Sequence, residues 1–216
     1  HLFSIDCALT DLALITGGSG IAIGLPENYR RQGLLGETAG ADAVPAVPGH
    51  AAVLAGSCSV ATLGQIERFK ADYPSVGIDP LRLADGETVV EEVLDWAREK
   101  ISAGPVLVYA SQPADTVRAV QDRLGRAEAG ALVEEAMAAI ARGLVASGVR
   151  RLVVAGGETS GAVVSALGVT GLRIGAQIDP GVPATVSLGD EPIALALKSG
   201  NFGGTDFFAK ALAAMP

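Results

Sequence analysis

Glycine and hydroxyl residues gather at four places where apolar runs end: positions 17–20, 56–59, 156–161 and 200–204. A glycine, having no Cβ, lets a backbone N–H come close to a phosphate. A helix starting just beyond it adds unpaired N–H donors and a positive dipole end. Ser19, Ser57, Ser59, Thr159 and Ser160 supply hydroxyls at the same positions. One such cluster is an ordinary strand-to-helix turn. Four in one chain point to a ligand that carries phosphate.

The charged neighbours of these clusters allow two readings each. Glu158, Asp179, Lys198 and Asp206 adjoin them. A carboxylate in a phosphate site is explained by bound Mg²⁺, held directly or through water. Glu158 equally suits the first turn of a helix, where a negative charge favours the dipole. Lys198 either reaches a phosphate as a mobile point charge or projects from a strand end into solvent. Asp206 reads as a helix-start carboxylate.

Several familiar chemistries are excluded. No Gly-x-x-x-x-Gly-Lys-Ser/Thr sequence occurs, and Ile23 stands where a dinucleotide fingerprint needs its third Gly or Ala. Ser19 lacks the closing glycine of a nucleophile elbow. Cys58 and His50 are eight residues apart, about 26 Å along an extended strand, so they do not pair without a sharp reversal. Cys58 reads as a small turn residue. Cys7 and Cys58 with His1 and His50 make neither a disulfide framework nor a closed zinc site.

The elements that must position the clusters alternate along the chain. Strands are expected at residues 12–16, 51–55, 76–78, 106–109, 152–155, 173–178, 185–188 and 193–197. Between them, Leu63, Ile66 and Phe69 recur at helical spacing, as do Val90, Val93, Leu94, Ala97 and Ile101, with Asp85 as N-cap. Trp96 falls near the edge of that second stripe, as core or interface. Pro113 suits a helix start. An Ala-rich helix is expected over 128–146, and a terminal one contains Phe207, Phe208 and Leu212. This alternation predicts an α/β fold: a mostly parallel open sheet, helices on both faces, and antiparallel strands at the carboxy-terminal edge. In such a sheet, strand exits converge on one edge, where ligands bind.

Composition narrows the partners. Basic residues number 16 against 24 acidic, a net charge of −8, with no basic run to grip a phosphate backbone. No apolar run reaches the roughly 20 residues of a membrane span. The reading is a cytoplasmic protein that binds neither nucleic acid nor membrane and that can form a homo-oligomer. Aromatics are only 4% of the 216 residues while apolar residues reach 49%, so the core must be aliphatic.

Taken in order, the motifs Ile15-Thr16-Gly17-Gly18-Ser19-Gly20, Ala55-Gly56-Ser57-Cys58-Ser59, Gly156-Gly157-Glu158-Thr159-Ser160-Gly161 and Lys198-Ser199-Gly200-Asn201-Phe202-Gly203 resemble a known set. They are similar to the carboxy-terminal, nucleotide-binding domain of the four-carbon acid sugar kinases, which phosphorylate erythronate, threonate or 3-oxo-tetronate at O4 with ATP. The resemblance covers essentially the whole chain. It implies that residues 1–216 are one nucleotide-binding domain of a longer protein. It also implies ATP contacts at Ser57, Gly156, Gly157, Glu158, Thr159 and Gly200, with Mg²⁺ accompanying the nucleotide and no metal ligand assigned to this chain. The acid-sugar site and the catalytic base are expected in an amino-terminal domain outside these residues. Other readings are a phosphate-handling lyase or epimerase on a similar sheet and a non-catalytic nucleotide-binding regulatory module. A small carboxylate wants a bidentate arginine beside a general base. Here Arg68, Arg98, Arg118 and Arg123 fall on helical stretches, and Arg150 and Arg151 flank a strand start. These residues alone should therefore give only background ADP release with any tetronate in a coupled assay.

Overall fold

The computed structural model describes residues 8–9, 12–17, 19–36, 39–111 and 114–215. The chain divides into two units, His1–Ala41 and Asp42–Pro216. The first contains a short 3-10 turn, Ser19–Ala22, and helix α1 (Leu25–Arg31), which opens with a proline in its first turn. Residues 12–16 are not a strand, and no strand precedes His50 among the described residues. Leu12 is 56% exposed and Leu14 85% exposed. A five-residue apolar run carries no periodicity that separates strand from coil, and a strand also needs a partner ladder. The cluster at 17–20 therefore follows no strand.

The second unit runs β1 (His50–Ala55), α2 (Val60–Lys70), β2 (Ser75–Gly77), α3 (Pro80–Ala84), α4 (Val89–Lys100), β3 (Val106–Tyr109), α5 (Ala114–Leu124), α6 (Arg126–Ala146), β4 (Val149–Ala155), α7 (Gly157–Ala166), β5 (Leu172–Asp179), β6 (Val182–Ser187), β7 (Ala194–Lys198) and α8 (Phe207–Ala214). The strands form one sheet in the order β2-β3-β1-β4-β7-β6-β5. Pairings from β2 through β7 are parallel, whereas β7–β6 and β6–β5 are antiparallel. This is the mixed sheet that the alternation of elements predicts.

Period-two alternation along the central strands builds two cores. One face presents Ala51, Val53, Ala55, Val153, Ala155, Ala194 and Ala196 to Ile66 and Phe69 of α2 and to Phe207, Phe208 and Leu212 of α8. Small alanines leave room for rings: Phe69 stacks on Tyr73 at 4.4 Å between centroids and meets Phe208 edge-on at 6.0 Å. The other face presents Ala52, Leu54, Leu152, Val154 and Leu195 to Val93 and Ala97 of α4, to Met137, Ile140 and Leu144 of α6, and to Val163 of α7. Trp96 is half-buried against this second core.

Two local expectations shift. Asp85 caps the end of α3 and does not begin α4, which Thr88 precedes. The reason is an additional helix: Asp79 accepts a hydrogen bond from Leu81 N at 2.9 Å and starts α3 at Pro80. Gly86, at φ +77°, then turns the chain toward α4. Pro113 lies outside the described residues. None of the described helices is long and apolar enough to cross a membrane.

Ile140 is fully buried between α6 and the sheet. Ile140→Ala should lower the unfolding free energy by about 2–5 kcal/mol through lost transfer energy and a residual cavity. Urea denaturation at constant m-value checks this. A loss below about 1 kcal/mol would mean that α6 does not close this core.

Candidate functional site

β1, β4 and β7 lie side by side and parallel, with Ala55 opposite Ala155 and Ala155 opposite Lys198. The three strands end level, so their exits turn out of the sheet together. Gly56 N and Ser57 N donate to Ala155 O at 3.0 and 3.2 Å, and Gly156 N donates to Lys198 O at 2.9 Å. The exits are packed too closely for side chains. A Cβ on Gly56 would collide with Thr159 Oγ1, and one on Gly200 with Ser57 Oγ. A Cβ on Gly156 would lie 2.9 Å from Thr159 Oγ1 and 3.3 Å from Ser57 N, and Gly156 also sits at φ +130°, where only glycine is at ease.

Two helices start at this edge. Ser59 caps α2 by accepting from Thr62 N at 3.2 Å. Gly156 precedes α7, whose first turn carries Glu158. Gly157 and Glu158 are exposed, and the space around a Cβ built on Gly157 is empty. Thr159 is buried, and Ser160 Oγ is buried without a hydrogen-bond partner. Two dipole ends and their free N–H groups thus face one open rim.

Lys198 behaves as neither sequence reading expects. It is 1% exposed, so it does not project into solvent, and it is not mobile. Its Nζ donates to Thr62 Oγ1 at 2.9 Å, Gly200 O at 2.8 Å and Ser199 O at 3.2 Å. Gly200 O also accepts from Ser59 Oγ at 2.6 Å and Thr62 Oγ1 at 2.9 Å. Burial pulls the Lys198 pKa down to about 8. Farther along the loop, Gln65 Nε2 donates to the carbonyls of Phe202, Gly203 and Gly204 at 3.0–3.1 Å.

The remaining candidates have structural duties. Asp179 takes the Lys210 ammonium and accepts from Gly204 N at 2.9 Å. The hydrogen bond from Lys210, helped by that from Gly204, holds its carboxyl below the usual carboxylate range. Asp206 stands at the start of α8, as its spacing suggests, without a side-chain cap bond. His50 and Cys58 lie at opposite ends of β1 and beyond it. Among the described residues, no group of three or more His, Cys, Asp or Glu could hold a metal ion by itself.

Ser57, Gly156, Gly157, Glu158, Thr159 and Gly200 therefore meet on one sheet edge. Ser59, Thr62 and Gln65 hold that edge together; the glycine-centred reading includes Ser59 among its hydroxyls, and Thr62 and Gln65 escape it. Ser59 alone carried a signal, as a hydroxyl directly before a helical stripe.

The family model described as the nucleotide-binding C-terminal domain matches residues 52–208, which include all three exits. The chain belongs to this family of nucleotide-binding carboxy-terminal domains. It is 60% identical over 98% of its length to a protein of Pseudomonas fluorescens named 3-oxo-tetronate kinase, and 58% identical to a Cupriavidus necator protein of the same name. It spans about half the length of these relatives, 49% of each. A solved Haemophilus influenzae structure of the DUF1537 family matches all of this chain and 51% of its own, at a TM-score of 0.82 and 36% identity.

The buried lysine has a measurable signature. Folding moves its pKa from the ordinary lysine value of 10.5 to about 8. Between these pH values the unfolded chain holds a proton that the native state lacks. Stability therefore gains a contribution as pH rises through this window, and the contribution is absent below about 8. Denaturant titrations from pH 7.5 to 10.5 should show this rise, relative to Lys198→Met, in the unmodified protein. Parallel profiles would contradict it.

Proposed function

We propose that the Asp42–Pro216 unit is the nucleotide-binding part of an ATP-dependent kinase whose acceptor is a four-carbon acid sugar, 3-oxo-tetronate, phosphorylated at O4. The observation that carries this reading is the convergence of three glycine-bearing strand exits and two helix N-termini on one edge. The names of the relatives at 60% and 58% identity favour 3-oxo-tetronate over erythronate and threonate.

The residues at this edge fit a nucleotide polyphosphate. Gly157 and Thr159 would hold it through the N–H groups that open α7, Ser57 and Thr159 through their hydroxyls, while Gly156 and Gly200 keep the approach free of side chains, and the unpartnered Ser160 Oγ offers one more buried polar group. Bound ATP supplies the transferable phosphoryl group. Mg²⁺ usually keeps most of its waters and takes one or two carboxylates beside phosphate oxygens. Glu158, exposed in the first turn of α7, is the carboxylate placed for that part. The chain's own residues bind and orient. Such a reaction relies mainly on positioning and electrostatics, so this edge needs no activated side-chain nucleophile. The acid-sugar site and catalytic base belong to the amino-terminal part that the longer relatives have room for. A domain closing over the nucleotide would keep water from its phosphates.

Calorimetry and thermal shift with ADP-Mg and ATP-Mg test the nucleotide reading. At a free ligand concentration near 100 times Kd, stability should rise by about 2.7 kcal/mol. No heat and no shift at millimolar nucleotide would end it. Gly157→Val discriminates further, because a side chain there enters open space and not the protein. It should weaken ADP binding by at least about tenfold with little change in Tm. Full affinity in this variant would return the glycine to an ordinary turn. With the acid-sugar domain present, 3-oxo-tetronate should drive ADP release faster than erythronate or threonate does.

A further inference from the structure

Lys198 is a cation without a counterion. Its three hydrogen-bond acceptors are a hydroxyl and two carbonyls, all uncharged, and it is 1% exposed. The charged groups on the elements around it are occupied or turned outward. On α2, Glu67 pairs with Lys70 at 2.9 Å and Arg68 with Asp72 at 2.6 Å. Glu158 on α7 and Asp206 in the exit loop are exposed, and Asp179 is committed to Lys210. On β4, Arg151 lies at the strand start, away from the exits. Among the described residues, no carboxylate ion-pairs with the Lys198 ammonium. A buried charge left in that condition is costly to the fold.

What the charge touches gives it a use. The Gly200 carbonyl draws Lys198, Thr62 and Ser59 to one point, tying the β7 exit to the start of α2. The Gly200 backbone in turn packs against Ser57 at the β1 exit. An anion seated at the Gly200 turn would act on an ammonium that is buried and so poorly screened by water.

We propose that Lys198 is the positioning residue of the strand-exit site: it fixes the Gly200 turn against α2 and holds beneath the rim a positive charge that nucleotide phosphate balances on binding. This rests on the nucleotide reading above. It assigns Lys198 no contact with the ligand. Because bound phosphate favours the charged ammonium, binding and protonation of Lys198 become coupled. Affinity is full while the free protein keeps Lys198 charged, and it falls as pH rises through about 8.

The test is ADP affinity by calorimetry on the protein from pH 7.5 to 10, above the phosphate ionisation at about 6. The exposed thiol of Cys58 lies just beyond the β1 exit, so the series is run in both the unmodified protein and Cys58→Ser. Kd should rise with pH above 8, by up to about tenfold per pH unit. Heats measured in buffers of different ionisation enthalpy should show proton uptake on binding. Lys198→Met should weaken ADP binding by about tenfold at pH 7.5 and abolish both the pH slope and the proton uptake, while Tm is kept or raised. A purely structural lysine would instead lower Tm. Lys198→Arg, charged at every pH used, should restore affinity without the slope.

A flat profile in Cys58→Ser with no proton uptake overturns the proposal, as does wild-type affinity in Lys198→Met. Should Lys198→Met fail to fold, the wild-type and Cys58→Ser profiles decide alone. Absence of ADP binding in the unmodified protein overturns the nucleotide reading, and this proposal with it. ADP binding that ignores both pH and Lys198 overturns this proposal only.

Discussion

Parallel pairing of β4 with β1 on one side and β7 on the other puts Ala55, Ala155 and Lys198 in one row at the end of the sheet. Each strand must then leave the sheet beside its neighbour. The hydrogen bonds from Gly56 and Ser57 bind the β1 exit to the end of β4, and that from Gly156 binds the β4 exit to the end of β7. Side chains have no place between them, which is why Gly56, Gly156 and Gly200 stand where they do. These glycines thus have a packing reason that is independent of any ligand. Gly157 lacks one, since nothing lies near it. The same close packing that explains the first three brings the hydroxyls of Ser57 and Thr159 against them within one small region.

A polar cluster under that region replaces the side chains that the glycines lack. Ser59, Thr62 and Lys198 converge on the Gly200 carbonyl, and Gln65 gathers those of Phe202, Gly203 and Gly204. Without these donors the carbonyls of Gly200, Phe202, Gly203 and Gly204 in the loop from β7 to α8 would lose their tie to α2. Helix α2 meets this need by presenting Ser59, Thr62 and Gln65 on one face, three residues apart. On its core-facing stripe, Ile66 and Phe69 bind the same helix to the sheet. One short helix therefore caps, braces and packs.

The fold was legible in the sequence to the extent that strands are buried and helices amphipathic. Val106–Tyr109 and Leu152–Ala155 read as apolar runs because both sheet faces bury them, and the stripe through Val93 and Ala97 read as a helix by its spacing. Residues 12–16 have the same composition without the partner, and composition alone does not reveal pairing. Helix α3 was missed because five residues make barely more than one turn. At the candidate site the glycines were legible, since few other roles concentrate glycine after an apolar run. Thr62 and Gln65 were not, because a polar residue inside a helix is ordinarily solvent-facing, and only strand order shows that these two face the β7 exit. Lys198 was visible as a residue and not as an environment. A lysine at a strand end is normally wet, and 1% exposure is a property of the neighbouring loop.

The strand order also sets the kinetic economy of this unit. Leu54 lies opposite Val154, 100 residues along the chain, whereas Thr185 lies opposite Leu195 only 10 residues on. Closing the larger loop costs about 2 kcal/mol more in chain entropy than closing the smaller one. Short-range pairings are thus confined to the β5–β6–β7 end, and the long-range ones to the centre, where the exits converge. The rim is completed only when β1 docks on β4, so the geometry of the site is among the last things the chain entropy permits. A nascent chain emerging amino end first carries β1 exposed until β3 follows, 54 residues from Ala52 to Val106, and the edge of β1 that takes β4 stays open for about a hundred residues.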